Sequence, residues 1–177
     1  MLQSVTQADK FFNDIIPLES KITKRMYGDS FNLYKGPVGA FYCEELKSEA
    51  KDYISAFTKK YINDIEMIED VLNMQNSLEN LALCFIKGVA NESLAFSSIG
   101  KAYCNSVKYF YPFIAFARNK GEHNYFDNLC QLYAIWSDRV NKINLKCKVD
   151  LQQKDLEDML DQLHGIKDKA IKPLGAE

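Results

Sequence analysis

The sequence predicts an all-α fold of long antiparallel helices, on three observations. Apolar residues at Phe126, Leu129, Tyr133, Trp136, Val140, Ile143 and Cys147 are spaced by threes and fours, which draws one stripe along a helix. From Asn124 to Lys172 there is no proline, and Gly165 is the only glycine. No run of β-branched residues alternates with polar ones, so nothing reads as a strand. A continuous helix over that span would reach roughly 70 Å. A compact ball of this length has a radius of gyration of about 16 Å. A helix that long must bend, break, or protrude and find a partner.

The elements follow in order. Residues 1–27 are amphipathic: Phe11, Phe12, Ile15, Ile16, Ile22 and Met26 form an apolar side, and Lys10, Lys21, Lys24 and Arg25 a basic one. Pro17 either interrupts this pattern or opens a second short helix. Such a segment packs on its own domain or lies in a membrane interface. Gly28, Gly36, Pro37 and Gly39 mark a loop, so that residues 1–39 are set apart from a helical domain at 40–172 and a tail at 173–177. The first long helix is expected to start near Ala40. It follows Leu46, Ala50, Tyr53, Phe57, Tyr61, Ile65, Ile68 and Leu72, with Asn73–Asn76 as the place for a kink. The pattern resumes at Leu78, Leu81, Phe85 and Val89, and Asn91 to Ser93 ends it. A second helix covers Leu94 to Arg118, with Pro112 expected to kink it. Asn119 to Asn124 is a turn. The third helix loses its heptad phase between Lys148 and Asp155 and regains it at Leu156, Met159, Leu163, Ile166 and Ala170. Pro173 ends it.

With 177 residues and 47% hydrophobic content, the chain can bury a core. The net charge of -2 gives no global pull toward nucleic acid. No apolar run is long enough to span a bilayer, and the N-terminus lacks the pattern of a signal peptide. Five cysteines (Cys43, Cys84, Cys104, Cys130, Cys147) form no CxxC pair and read as buried free thiols in a reducing, cytoplasmic compartment. With two histidines, His123 and His164, a His-rich metal site is out of reach.

Motifs for catalysis are missing: the sequence holds no GxSxG, P-loop, GxGxxG or HExxH, and no Glu-x-x-His pair. The expectation is a protein that is not an enzyme, with no cofactor and no metal. Glu44-Glu45, Glu66/Glu69/Asp70 and Asp155/Glu157/Asp158/Asp161 read as solvated acidic faces, and Glu122-His123 as an exposed connector. Arg139, Lys142 and Lys146 share one helical face, and Lys148 and Lys154 extend it. Each lysine beside an anionic bilayer is worth on the order of 1 kcal/mol, so this set is a candidate membrane-binding surface. The competing reading is an ordinary solvated face with Asp138, Asp150 and Asp155 interleaved. The aromatic cluster Tyr103, Tyr109, Phe110, Tyr111, Phe113 and Phe116 reads as core or dimer seam rather than as a cofactor pocket. Phe126, Leu129, Tyr133, Trp136, Val140 and Ile143 form the candidate core or dimer seam, with Trp136 its core anchor.

Two stretches carry a family resemblance: LENLALCFIKGVANESLAFSSIG and NKGEHNYFDNLCQLYAIWSDRVNKINLKCKVDLQQK. From Leu78 to about Lys154 the chain resembles the BAR domain of sorting nexins, and residues 3–26 match the place of the amphipathic helix that precedes it in several members. The resemblance implies a BAR-like elongated bundle or coiled coil, acting as a homo- or heterodimeric scaffold on anionic, endosomal membranes. It also implies curvature sensing or shaping, and trafficking-complex proteins as partners. The alternative expectation is a soluble helical adaptor that binds a partner protein and has no membrane activity. An enzyme with a bundle-core pocket around Tyr103, Tyr109 and Phe116 is a third.

Overall fold

Pro17 determines how the chain begins. It lacks an N–H, so an unbroken α-helix would leave a carbonyl one turn back without its donor. The structure, a computed structural model, describes residues 2–39, 41, 47–120 and 125–169. In it, α1 (Leu2–Lys10) passes through a π-helical turn (Phe11–Ile15) into α2 (Ile16–Gly28). The Ile16 N–H reaches back five residues to the Phe11 carbonyl. One extra residue is thus taken up just before the proline, which sits in the first turn of α2. Phe11, Ile15, Ile22 and Met26 are all buried, so this amphipathic segment packs on its own domain.

The loop after α2 is held down by aromatic rings. Phe31 stacks edge-on against Tyr53, Phe57 and Tyr61, and Tyr34 lies 5.9 Å from Tyr111. At Gly39 an added Cβ would come 2.6 Å from the Tyr111 hydroxyl, a close approach that only glycine permits.

The long first helix expected from 40 to 89 is two helices, α3 (Ser48–Tyr61) and α4 (Ile65–Ile86). Asp64 makes the break: its Oδ1 accepts the Met67 N–H at 3.1 Å, a side-chain N-cap. No break falls at Asn73–Asn76, where Met74 and Gln75 are buried within α4. Gly88 ends α4 at φ +71°, with Val89 N–H bonded to the Cys84 carbonyl and Gly88 N–H to that of Phe85. This is a Schellman stop. Asn91 then caps α5 (Glu92–Lys120) by accepting the Leu94 N–H at 3.0 Å. α5 continues through Pro112.

The chain divides into two compact units, Met1–Ser137 and Asp138–Glu177. In the first, α5 packs against α1, α3 and α4, and presents Ile99, Tyr103, Val107, Phe110 and Ile114 to the core. α6 (Asp127–Lys169) begins in this unit. Its Leu129, Leu132, Tyr133 and Trp136 are buried there. Trp136 is fully sealed, with its ring 5.5 Å from Phe85, 5.7 Å from Phe96 and 5.1 Å from Tyr103. Its indole N–H donates to Glu92. Arg118 is buried too. It donates through Nε to the Phe41 carbonyl at 3.1 Å, and pairs through Nη1 with Asp127 at 2.9 Å. The described part of the second unit is the remainder of α6, and from Asn141 to Leu163 every side chain is exposed. Among the described residues there is no strand, and no helix is long and apolar enough to cross a membrane.

Candidate functional site

Three helices of the first unit offer the same spacing to one place. α3 supplies Ile54, Phe57, Thr58 and Tyr61, and α4 supplies Ile68, Val71, Leu72 and Gln75. α5 adds Phe113, Phe116 and Ala117. Residues three and four apart share a helix face, so each helix turns one apolar stripe toward a common cleft. The cleft holds about 320 Å³. Its floor is buried, whereas Ile62, Leu72 and Phe116 on its rim are 59%, 50% and 42% exposed. Beyond Phe116 the surface continues over Ser55 and Thr58 to Lys51 and Lys59.

A charged clamp fixes the α4 wall. Lys21 of α2 pairs with Glu66 at 3.0 Å and Asp70 at 2.8 Å, and Arg25 pairs with Asp64 at 2.5 Å and Glu66 at 3.1 Å. The hydrogen bond from Lys21 holds the Glu66 carboxyl below the usual range, and the charges of Lys21 and Arg25 add to this. Burial, together with the Asp29 carboxylate beside it, pushes the Tyr61 hydroxyl up to about 12. The cleft is almost wholly apolar. It brings together no nucleophile and base, and among the described residues no cluster of His, Cys, Asp or Glu could hold a metal. Such a surface binds apolar groups by excluding water.

The residues singled out from the sequence separate into three places. Leu129, Tyr133 and Trp136 meet in the core of the first unit, whereas Val140 is half-buried and Ile143 exposed, both in the second. Phe126 is half-buried at the start of α6, at φ +60°. Within the single chain, burial along this stripe runs from Leu129 to Trp136. Lys142, Lys146, Lys148 and Lys154 are exposed on α6, Arg139 is half-buried, and Lys142 pairs with Asp138 at 2.7 Å. Tyr103, Tyr109 and Phe116, expected around one pocket, lie in different surroundings. Tyr103 is fully buried with its hydroxyl on the Leu129 carbonyl, Tyr109 is half-buried, and of the three only Phe116 lines the cleft. Of the thiols, Cys104 and Cys130 are buried as expected, but Cys84 is half-exposed and Cys147 exposed. Cys43, Glu44-Glu45, Glu122-His123, Ala170 and Pro173, and the helix start near Ala40, lie outside the described residues.

Residues 19–136 match the family described as Domain of unknown function (DUF4760). The chain belongs to the DUF4760 family. The match ends at Trp136, one residue before the first unit closes, so the DUF4760 region contains the cleft and the charged clamp. No curated protein and no solved structure matches the chain. Sequence reasoning assigned Leu72 and Phe116 to helical faces without seeing the cleft. The available signal was the breadth of the α4 pattern, in which Ile68, Val71, Leu72 and Gln75 exceed what one packed stripe requires.

Proposed function

We propose that the DUF4760 unit is a helical adaptor whose α3–α4–α5 cleft receives an amphipathic helix of a partner protein, one with an acidic flank beside its apolar face. The observation that carries this reading is the convergence of three apolar stripes on an open cleft with Ile62, Leu72 and Phe116 exposed at its edge. A helix docks in such a groove through apolar side chains at i, i+3, i+4 and i+7. Lys51 and Lys59, exposed where the cleft continues, complement acidic residues on the incoming helix.

Synthetic amphipathic helices with Leu at those positions and either Glu or Lys flanks test this by fluorescence anisotropy. The Glu-flanked peptide is expected to bind, and Leu72→Asp or Phe116→Asp to abolish binding without unfolding the protein. Lys51→Glu with Lys59→Glu should reverse the flank preference. Equal binding of a scrambled peptide, or binding that survives Leu72→Asp, overturns the proposal.

A second reading is the dimeric membrane scaffold that the sorting-nexin resemblance implies. The exposed run of Lys142, Lys146, Lys148 and Lys154, with Arg139, favours it. Cosedimentation with anionic liposomes, lost when Lys142, Lys146 and Lys148 are reversed to Glu, is its expected signature. Unchanged sedimentation after reversal removes it.

A further inference from the structure

One residue on the cleft wall is out of keeping with the rest. Gln75 follows Val71 by four and precedes Leu78 by three, so it stands within the apolar stripe of α4. It is only 2% exposed, although glutamine is ordinarily a surface residue, and it lines the cleft. Its carboxamide carries two donor hydrogens and an acceptor oxygen. Among the described residues this side chain has no hydrogen-bond partner. The other side chains on the wall with polar atoms differ from it. Thr58 is exposed, and the Tyr61 hydroxyl has the Asp29 carboxylate beside it.

A methionine has similar reach and would complete the stripe without a polar end. Glutamine in its place destabilises the free protein, because a polar group withdrawn from water without a partner costs free energy. A ligand in the cleft that supplies the missing partner removes that penalty, and a wholly apolar one seals it in. The lining also restricts what the partner group can be. No charged side chain lines the cleft among the described residues, so a carboxylate or ammonium brought in beside Gln75 would be stranded. A second carboxamide is neutral and complements the first in one planar pair, each giving an N–H and accepting one. In an otherwise apolar helix seam, a single polar pair of this kind sets register and selects the partner.

We infer that Gln75 is the specificity determinant of the cleft, and that the helix received there carries an asparagine or glutamine among its apolar anchors, paired amide to amide with Gln75. This rests on the reading of the cleft as a groove for a partner helix.

The test begins with the free protein, full chain. Gln75→Met is expected to raise the melting temperature, and no rise overturns the inference, since the amide would then already be satisfied. Binding is read next by fluorescence anisotropy, with the Glu-flanked leucine helix as parent and relatives in which one anchor at a time is replaced by Asn or Gln. At one anchor, affinity relative to the parent is expected to be about tenfold higher for wild type than for Gln75→Met. A third measurement needs no variant. In wild-type protein carrying heavy nitrogen at its glutamine side chains, that helix should move one amide pair downfield in the NMR spectrum, and the leucine parent should not. Absence of this movement overturns the inference. So does binding with the same ratios in both proteins, which leaves the groove itself standing. No binding of any helix by either protein removes the groove and the inference with it.

Discussion

Glu79 of α4 caps α6 from across the bundle: its Oε2 accepts the Leu129 N–H at 2.7 Å. Its Oε1 takes the Asn128 side-chain amide at 2.6 Å and the Asn128 backbone N–H at 3.3 Å. The first turn of any helix leaves N–H groups without intrahelical partners, and a carboxylate there also meets the positive end of the helix dipole. A residue fifty positions away in sequence thus does what a local Ser or Asp does elsewhere. Glu79→Ala is expected to destabilise the first unit by about 1–3 kcal/mol. Glu79→Gln should cost less, because its amide oxygen still accepts one N–H. Urea denaturation followed by circular dichroism reads both, and a wild-type midpoint for Glu79→Ala would remove the capping role.

Trp136 is covered by Phe85, Phe96 and Tyr103 of its own chain. Its shielding therefore does not depend on association. Emission wavelength and acrylamide quenching should stay constant as the protein is diluted, with quenching rising only on unfolding. Trp136→Ala removes a fully buried ring and should cost about 3–5 kcal/mol. Quenching that rises on dilution would instead place the ring in a seam between copies.

Helical periodicity made α5 and most of α6 legible in the sequence. It failed at Asp64, because Tyr61, Ile65, Ile68 and Leu72 keep steps of three and four across the break and hide it. The signal was present in Asp64 itself, a strong N-cap residue, once the local hydrogen bond was weighed against the longer pattern. The stripe from Phe126 to Cys147 shows a different limit of the pattern. Its spacing is helical throughout, but burial depends on what lies opposite: Leu129, Tyr133 and Trp136 are buried in the first unit, whereas Ile143 and Cys147 are exposed in the second. Spacing reports a helix, while only tertiary packing reports a core. The cleft was illegible for the same reason, since it needs three separate helices to be brought side by side.

Glu19 gives the first unit a pH signature. Burial raises its carboxyl above the ordinary 4.5, and the hydrogen bond donated by Ser106 offsets part of that rise. A carboxyl raised on folding binds its proton more tightly in the native state. Its contribution is therefore full below the unfolded value near 4.5 and is lost as pH rises through the higher folded value. Glu19→Gln cannot ionise and keeps a group that can bond Ser106. The variant should match wild type at acid pH and become the more stable of the two toward neutral pH. Denaturation midpoints across that range check this, and a stability difference independent of pH would show that Glu19 does not titrate as described.

The thiols should separate by accessibility. Cys147 is exposed on α6, whereas burial pushes Cys104 up to about 11 and Cys130 to about 12, the nearby positive charges of Lys108 and Arg118 offsetting part of each rise. The thiolate is the reactive form, so a buried thiol with a raised value combines a small reactive fraction with restricted access. In the native protein near neutral pH, iodoacetamide should modify Cys147 quickly, and Cys104 and Cys130 only after denaturant is added. Peptide mapping by mass spectrometry reads each position separately. Rapid native labelling of Cys130 would mean that the α6 segment carrying Leu129 and Trp136 opens readily, and the core assigned to the first unit would have to be redrawn around the remaining helices.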